Sequence, residues 1–552
     1  MKFKNIYIGI TCLLAGFSVY GQDAGHISGN VQIDFQTYKA DSLIGAEEVP
    51  EKLLMNGFAN VNYTKGNFSA GLRYESYLNP MLGFDRRYKG SGIMYRYASY
   101  SKDDIDITVG NFYEQFGSGL ILRAYEERNL GYDNAFDGVS VTLKMVDGLT
   151  VKGLIGKQRN FFTYGPGIVR GLDAELVLNE INETTQSWDG TWIIGGSFVS
   201  KFEEDQDPFY KLPLNVASFA GRLNYIKGGF DFYTEYAYKI NDPSTVNGYI
   251  YKPGEALLTT LSYSRKGLGV LLGAKRIDNM NYRSDRTATV NSLMINYLPA
   301  LTKQHTYTIA AFYPYATQPN GEIGFQGEIF YKIPKGSKLG GKYGTQLSLN
   351  VSAAYSIEQN QVNDTTAVGE AGTLGYSSPF FAIGDSTYFK DINLSISRKI
   401  NKKLKLSSMF MIQSYNREVI EGKPGFLKTR IAVLEAQYKI SSKKSVRVEA
   451  QGMFMKKHGS DKNLDQGNWA LGLVEYTIAP HYFFALQDLY NYGNKEEAKR
   501  VHYLIASAGY VKGTSRIALN YGKQRAGIFC VGGVCREVPA SNGFSVSITS
   551  SF

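Results

Sequence analysis

The chain has 552 residues, of which 14% are aromatic, and its formal net charge is +10. The length suits several ordinary domains, but no composition break, Pro-rich linker or low-complexity block divides it. The basic residues are scattered, which argues against nucleic-acid binding as the reason for the charge. Attraction to a phosphorylated outer-leaflet glycolipid accounts for the excess better.

The first residues predict an export signal. Lys2 and Lys4 precede a mostly apolar stretch that is too short to span a bilayer. Gly21 is a small residue suited to cleavage, so we expect a signal peptide at residues 1–21 and a mature chain of residues 22–552. A retained membrane anchor is the alternative. No later segment reaches the ~20 continuous apolar residues of a membrane-spanning helix.

Segments of about ten residues then alternate in polarity between turn residues, as barrel strands do. Phe230 and Tyr236 share one parity, while Glu235 and Lys239 share the other. The same alternation recurs in residues 404–413, 446–454 and 516–521. A charge facing lipid costs roughly 2–4 kcal/mol at mid-bilayer, so the charged faces are predicted to line a wet or protein-filled lumen. A large soluble β-sandwich or propeller is the alternative.

Short turns alternate with longer polar connections, and this rhythm predicts about 26 strands, within a range of 24–26. One predicted short periplasmic turn is residues 302–305. The fold class is therefore an all-β, transmembrane, antiparallel β-barrel with both termini on the periplasmic side. Strand patterning starts near His26, so we expect no separate plug domain. A barrel this wide then needs folded-in loops or a partner protein to close it.

Residues 110–138 form the densest run of glycine, aromatic and charged residues, and the glycines permit sharp turns or close backbone approach. An inward loop that constricts the lumen or receives a ligand is one interpretation, and an ordinary outer loop is the other. In a low-dielectric lumen, Arg123 and Arg128 can pair with Glu126 and Glu127. The candidate residues are Glu114, Arg123, Glu126, Glu127, Arg128, Asp133 and Asp137.

Signals for catalysis and metal binding are weak. Asp133, Asn134 and Asp137 carry oxygens that suit calcium, but the full ligand spacing is missing. The 5 histidines are scattered, so no local motif supports a barrel esterase, which needs a Ser, a His and an orienting group together. We expect no enzyme activity, no metal and no cofactor. A lipid-active barrel enzyme is a minor alternative.

Cys530 and Cys535 flank a Gly-Gly turn in the last predicted outer loop. In an exported protein such a pair is expected to form a disulfide. Free thiols and half of a metal site are the alternatives, although the sequence offers no companion pair for a metal.

The chain ends on an alternating strand in which Phe544, Val546, Ile548 and Phe552 share one parity and serines fill most other places. A strand with this pattern presents an apolar stripe on one face. The stripe is similar to the terminal strands of outer-membrane barrels. That resemblance implies that the barrel-insertion machinery reads it.

Residues 110–138, residues 530–536 and the terminal strand together resemble an uncharacterised outer-membrane barrel family of Bacteroidota. The resemblance covers essentially the whole mature chain. It implies a porin-like fold in the cell outer membrane of a Gram-negative bacterium, and it carries over no catalytic residue.

From this we expect a monomeric barrel that acts as a channel, transporter or surface-assembly component. The alternative is a non-conducting scaffold that docks a secreted protein or a surface lipoprotein. The expected partners are the outer membrane with its outer-leaflet glycolipid, the insertion machinery, and a lipoprotein or plug protein, with no nucleic acid.

Overall fold

The computed structural model describes residues 25–455, 467–531 and 534–552, and the side chains of residues 529–536 are not described. The predicted signal peptide, residues 1–21, lies outside the described residues. The strands are β1 (His26–Tyr38), β2 (Leu54–Lys65), β3 (Phe68–Leu78), β4 (Gly90–Lys102), β5 (Ile105–Phe112), β6 (Glu126–Glu127), β7 (Tyr132–Asp133), β8 (Phe136–Val146), β9 (Leu149–Asn160), β10 (Thr163–Val177), β11 (Thr191–Phe202), β12 (Asn215–Lys227), β13 (Phe230–Lys239), β14 (Gly254–Arg265), β15 (Leu268–Asp278), β16 (Gly321–Ile333), β17 (Thr345–Ile357), β18 (Ile383–Lys399), β19 (Leu404–Asn416), β20 (Phe426–Lys439), β21 (Lys444–Met455), β22 (Trp469–Ile478), β23 (Tyr482–Tyr490), β24 (His502–Lys512), β25 (Ser515–Gln524), β26 (Gly527–Val531), β27 (Val534–Val538) and β28 (Ser541–Ser551).

In the part of the chain that the structure describes, helical structure is confined to short pieces of the connections. The α-helices are Glu183–Gln186 and Arg417–Glu421, and the 3-10 helices are Arg86–Tyr88, Arg128–Leu130, Leu178–Glu180, Thr245–Asn247 and Glu497–Lys499. Within the described ranges, no helix is both long and apolar enough to cross a bilayer.

One 24-stranded antiparallel sheet forms a closed barrel, and the pairs β6–β7 and β26–β27 are two small separate hairpins. The sheet closes because β1 pairs with β28, with Ile33 opposite Ile548 and Phe35 opposite Val546. The predicted antiparallel barrel is therefore confirmed. The favoured count of 26 strands is wrong, and the observed number is the lower limit of the predicted range.

The two faces of the strands differ as the alternation predicts. Phe230 and Tyr236 are 49% and 41% exposed on the outside, whereas Glu235 and Lys239 are fully buried on the inside. Exposed outer side chains continue around the barrel at Leu172, Phe198, Phe219, Leu272, Ile392, Phe410, Leu434, Val474 and Leu504. An apolar band this extensive is stable only against another apolar phase.

The rims of the barrel also differ. The terminal rim, where β1 starts and β28 ends, has short turns such as residues 66–67, 228–229 and 513–514. The loop rim, at the opposite end, carries most of the long connections. This difference reproduces the predicted rhythm of short and long connections.

Two connections of the loop rim turn into the barrel. We call residues 113–135, between β5 and β8, the lumen loop, and residues 279–320, between β15 and β16, the inserted segment. The first arm of the inserted segment is residues 279–301, and the second arm is residues 306–320. The lumen loop and the first arm pack on β9–β15 in one apolar cluster. The second arm packs on β17–β23 in another cluster. The lumen is thus filled by the chain itself.

The inserted segment corrects one prediction. Residues 302–305 are not a periplasmic turn but the tip of this segment, where Lys303 lies 2.6 Å from Glu328 on β16. Placing a strand on each side of that turn accounts for the excess in the predicted count. The alternation misled because this segment packs against barrel walls on more than one side, so that consecutive residues such as Ile309 and Ala310 are both buried. The prediction that no separate plug domain exists concerns the whole chain and stays a prediction.

Candidate functional site

A buried ionic network joins the lumen loop to the barrel wall. Arg159 on β9 donates hydrogen bonds of 2.6 Å to both carboxylate oxygens of Glu75 on β3. The same guanidinium lies 2.7 Å from Asp133 in the lumen loop, and Arg73 on β3 also pairs with Asp133. The side chains of Arg159 and Glu75 are 1% exposed. Removing one partner from such a network leaves a buried charge uncompensated, so the network fixes the loop to the wall.

Asp133 is the centre of this network on the loop side. Burial alone raises the pKa of its carboxyl, but Arg159 and Arg73 outweigh that effect and hold the pKa below its ordinary value. The backbone N–H of Ala135 and the hydroxyl of Tyr113 also donate to this carboxylate, at 3.0 and 3.1 Å. Asp133 therefore remains ionised at neutral pH and keeps both guanidiniums neutralised.

Other predicted loop residues join the network at its edge. Glu126 lies 2.9 Å from Arg73 and 2.9 Å from Arg128. The structure therefore brings Glu126, Arg128 and Asp133 together around a wall arginine that the sequence analysis did not single out. Glu127 contributes its backbone to the β6–β7 hairpin, opposite Tyr132.

The remaining predicted residues lie elsewhere, in the lumen loop or at the start of β8. The Arg123 guanidinium stacks between the rings of Tyr125 and Tyr297, at 4.4 and 4.1 Å from their centroids. Glu114 pairs with Lys152 at 2.9 Å, and Asp137 on β8 pairs with Arg96 at 3.2 Å. The predicted pairing of Arg123 with a neighbouring glutamate is therefore replaced by contacts with aromatic rings.

The glycine-rich turn of the lumen loop approaches the opposite wall closely. Ser118 donates its backbone N–H to Glu235 on β13 at 2.7 Å. Gly117 has φ +51°, and a Cβ at this position would lie 2.8 Å from each carboxylate oxygen of Glu235. Only glycine satisfies both the backbone conformation and the approach.

Hydrogen bonds between side chains and backbone groups join the inserted segment to the wall in place of sheet pairing. In the first arm, Tyr282 donates its hydroxyl to the carbonyl of Val216 at 2.8 Å. In the second arm, the backbone N–H of Ile309 donates to Gln451 at 2.8 Å, and Gln413 donates to the carbonyl of Tyr313 at 3.1 Å. These bonds satisfy buried backbone groups without a strand ladder.

A cavity of about 660 Å³ remains beside the inserted segment. It lies between the tip and second arm of the segment and the wall formed chiefly by β23, β24 and β25. Its lining combines aromatic rings, amides and basic groups, among them Phe312, Tyr503, Gln487, Lys303 and Arg525. The packed lumen therefore retains space for a small ligand.

The last loop of the barrel crosses the loop rim as the β26–β27 hairpin. The backbone register places Cys530 opposite Cys535, but their side chains lie outside the described part of the chain. Glu537 on β27 pairs with Lys423 at 3.0 Å, and the hairpin lies beside the 3-10 helix Arg128–Leu130. The hairpin therefore contacts two other loops at the mouth of the barrel.

The residues weighed as calcium ligands have separate partners. Asp133 faces two guanidiniums, Asp137 pairs with Arg96, and the side-chain oxygen of Asn134 accepts the backbone N–H of Tyr125 at 2.7 Å. Across the described residues, no group of three or more His, Cys, Asp or Glu side chains is arranged to hold a metal ion.

Sequence reasoning missed the wall residues of this site. Arg73 and Glu75 are two positions apart and therefore share the inward face of β3, which is a detectable signal. Arg159 carries no such signal, because its position beside Glu75 depends on how strands distant in sequence are brought together through the loop.

Comparisons with known proteins show the family and weak structural likenesses. The model of a family of unknown function, DUF6029, matches residues 3–552. No curated protein matches the chain. The P pilus usher (PapC) translocation pore is 9% identical over 95% of this chain and 99% of its own, with a TM-score of 0.42.

Two further solved structures are similar to the same degree. A mutant ferric enterobactin receptor (PfeA) from Pseudomonas aeruginosa is 11% identical over 96% of this chain and 81% of its own, with a TM-score of 0.42. The copper transporter OprC is 10% identical over 97% and 81%, with a TM-score of 0.37. Likenesses this weak support no functional conclusion.

Proposed function

We propose that this chain, which belongs to the DUF6029 family, is an outer-membrane barrel that its own loops hold closed and that opens to pass a solute. The observation that carries the proposal is the inserted segment, which occupies the lumen of a closed 24-stranded barrel. A barrel of this strand number encloses a wide lumen when its interior is empty. Displacement of the segment would therefore create a pore.

The apolar outer band supports the location in a membrane. A barrel in the outer membrane has an apolar lipid-facing band, short periplasmic turns and longer external loops. The terminal rim would then face the periplasm and the loop rim the outside. The outer-leaflet glycolipid and the insertion machinery remain the proposed partners, and we propose no enzymatic role.

The polar tip of the inserted segment supports a movable closure. Its polar contacts, the ion pair of Lys303 with Glu328 and the hydrogen bond of His305 with Asp391, lie beside the cavity and not within an apolar cluster. Water entering the cavity can solvate such groups when they separate, which lowers the free energy of displacement. Apolar contacts alone would hold a permanently closed lumen more stably, because they need no desolvation of charged groups.

The test is single-channel recording in planar bilayers. The full barrel is compared with a variant in which a short Gly-Ser linker replaces residues 300–313. We expect rare openings from the native chain and steady conductance from the variant. A deletion of residues 361–372, in an exposed loop of the same rim, is the matched control. Correct insertion is checked by heat-modifiable migration, and an inserted variant that stays closed would contradict the channel.

A docking scaffold is the second candidate, because the loop rim exposes isolated apolar side chains. Phe209 is 88% exposed and Val290 is 79% exposed. Affinity capture from native membranes should recover a surface lipoprotein with the native chain and lose it with Phe209→Ser and Val290→Ser. Capture that is equal for all three chains would contradict this surface.

A further inference from the structure

We infer that the cavity beside the inserted segment binds a small organic anion with an aromatic body, and that Arg525 receives the anionic group. This inference rests on the proposed function, since it names the class of solute that the opened barrel would take. The cavity is already present while the inserted segment occupies the lumen.

The size of the cavity suits such a ligand. Its volume is about 660 Å³, and binding sites for small molecules are roughly 300–1,000 Å³. It is bounded on one side by the inserted segment and on the other by the barrel wall. A ligand here would contact both the movable and the fixed parts of the protein.

The charged side chains that line the cavity are basic. Among the described lining residues, four are basic or histidine and none is acidic. Three of these groups have a carboxylate partner behind the lining: Lys303 with Glu328 at 2.6 Å, Lys523 with Asp41 at 2.8 Å and His305 with Asp391 at 2.5 Å. The fourth is Arg525.

Arg525 differs because aromatic rings, not a carboxylate, surround it. Its guanidinium carbon lies 3.6 Å from the ring centroid of Phe312 and 5.9 Å from that of Trp469. Its one hydrogen bond within the described structure runs to the carbonyl of Ala526 at 2.9 Å. A guanidinium has five N–H donors, so most of them are available to a ligand.

The carboxylate of Glu421, which acts electrostatically on Arg525, already has other partners. Glu421 pairs with Arg417 at 3.4 Å and with Lys423 at 3.7 Å. Burial lowers the pKa of the Arg525 guanidinium below its usual value, which reflects the cost of a cation placed here without a partner. An anion bound through two N–H groups would remove that cost.

The aromatic lining explains the expected body of the ligand. Phe312 and Tyr313 come from the inserted segment, and Tyr503 comes from β24. Tyr315 and Phe389 stack at 5.0 Å between ring centroids and extend the flat surface. Rings of this kind bind planar apolar groups by stacking, and Arg525 already shows that the site accepts a planar group.

A route to the site begins at the loop rim. A smaller cavity of about 100 Å³ is lined by charged side chains of the outer loops, including Lys423 and Glu537. Phe312 and Arg525 line both this small cavity and the large one. The stacked pair therefore lies between the outer mouth and the binding site, and an arriving anion passes Lys423 before it reaches Arg525.

Equilibrium binding to the full-length protein in lipid nanodiscs tests the inference. Isothermal titration calorimetry compares 1-naphthyl phosphate with neutral 1-naphthol and cationic 1-naphthylmethylamine, which share one ring system. We expect the phosphate to bind at least about tenfold more tightly than the naphthol, a difference of about 1.4 kcal/mol, and the amine to bind least. Equal or tighter binding of the neutral or cationic compound would overturn the anion site.

Substitutions then locate the site. Arg525→Gln should weaken binding of 1-naphthyl phosphate by about tenfold and leave 1-naphthol unchanged. Arg500→Gln, an outer-loop arginine that pairs with Glu497 at 3.4 Å, is the matched control and should change neither. Unaltered binding of the phosphate to Arg525→Gln would overturn the role of Arg525.

Two further measurements keep the result interpretable. If Arg525→Gln does not insert, Phe312→Leu is used, because it retains the guanidinium. It should weaken the binding of 1-naphthyl phosphate more than the binding of inorganic phosphate, and an equal effect on both would refute the aromatic surface.

Binding is measured without conductance. Anion binding without any channel activity would therefore contradict only the proposed function, and conductance without anion binding only the site.

Discussion

The ring Nε2 of His305 lies 2.5 Å from a carboxylate oxygen of Asp391, and the two side chains are 6% and 0% exposed. Asp391 lies midway along β18, so the contact holds the tip of the inserted segment deep inside the barrel. Asn393 donates to the other oxygen of Asp391 at 2.8 Å, which orients the carboxylate towards the ring. A polar contact with the middle of β18 therefore helps to hold the tip inside the barrel.

Removing the polar contacts of the tip should make the barrel open more often. Lys303→Ala combined with His305→Ala deletes the ion pair with Glu328 and the hydrogen bond with Asp391 without changing the strands. We expect openings in planar bilayers to become about tenfold more frequent, which corresponds to about 1.4 kcal/mol. Lys499→Ala removes an exposed pair with Glu496 on an outer loop and should leave the frequency unchanged. An unchanged double variant would show that the apolar clusters alone hold the segment.

The buried network should make Asp133 important for stability. Asp133→Asn leaves Arg73 and Arg159 with less compensating charge, so we expect a loss of about 3 kcal/mol in the free energy of unfolding. Urea unfolding in lipid vesicles measures it. Asp85→Asn, which breaks an exposed pair with Arg87, should cost little. Similar losses in both variants would mean that the network does not fix the loop.

The same carboxyl predicts a pH dependence. Because its pKa is lowered in the folded protein, the stabilisation by Asp133 is complete above the ordinary aspartate pKa of about 3.9 and is lost as the pH falls through the lower folded value. The stability difference between the native chain and Asp133→Asn should therefore be constant near neutral pH and shrink below about pH 4. A difference that grows on acidification would reverse the assigned sign.

Deleting Phe552 should reduce the amount of inserted barrel. Its backbone N–H donates to Gly29 at 2.9 Å and its carbonyl accepts from Gly29 at 3.0 Å, so it extends the pairing of β1 with β28. Its side chain is 60% exposed, at the end of the stripe that includes Phe544, Val546 and Ile548. Quantifying heat-modifiable protein in outer membranes checks the effect. Phe552→Leu, which keeps the backbone and an apolar side chain, should be milder, and full insertion of the deletion would refute the prediction.

The paired positions of Cys530 and Cys535 keep the disulfide as a prediction. Mass spectrometry of the non-reduced protein should find the two residues linked, and their double substitution by serine should leave the barrel folded, since the closed ring is small. Surface labelling after reduction of intact cells tests the external position of the hairpin. Two alkylatable thiols in freshly isolated membranes would refute the bond.

The strands could be predicted because their outer faces carry apolar side chains at alternate positions. The parity of Phe230, Tyr236 and Glu235 is visible in the sequence and is reproduced in the structure. The same reasoning failed at residues 306–315, where the contacts come from inside the barrel. Alternation indicates that a segment is extended and partly buried. It does not distinguish whether the segment contacts lipid, a neighbouring strand or the opposite wall.

In the candidate site, the charged residues of the lumen loop could be predicted from the sequence, but their partners on the barrel wall could not. Glu126 and Asp133 stood out because charges cluster along the lumen loop. Arg159 and Arg525 did not, because each meets its contacts through the closure of the barrel, which brings distant strands together. The cavity likewise joins residues of the inserted segment to β25, and no local pattern marks such a meeting.

The seam between β1 and β28 imposes an order on assembly. The first and last strands of the barrel can pair only after the whole chain is made, whereas the inserted segment lies near the middle of the sequence. Threading the segment through a finished ring would expose both of its apolar arms to water. We therefore expect the two arms to pack against the strands next to them in sequence before β1 and β28 close the ring.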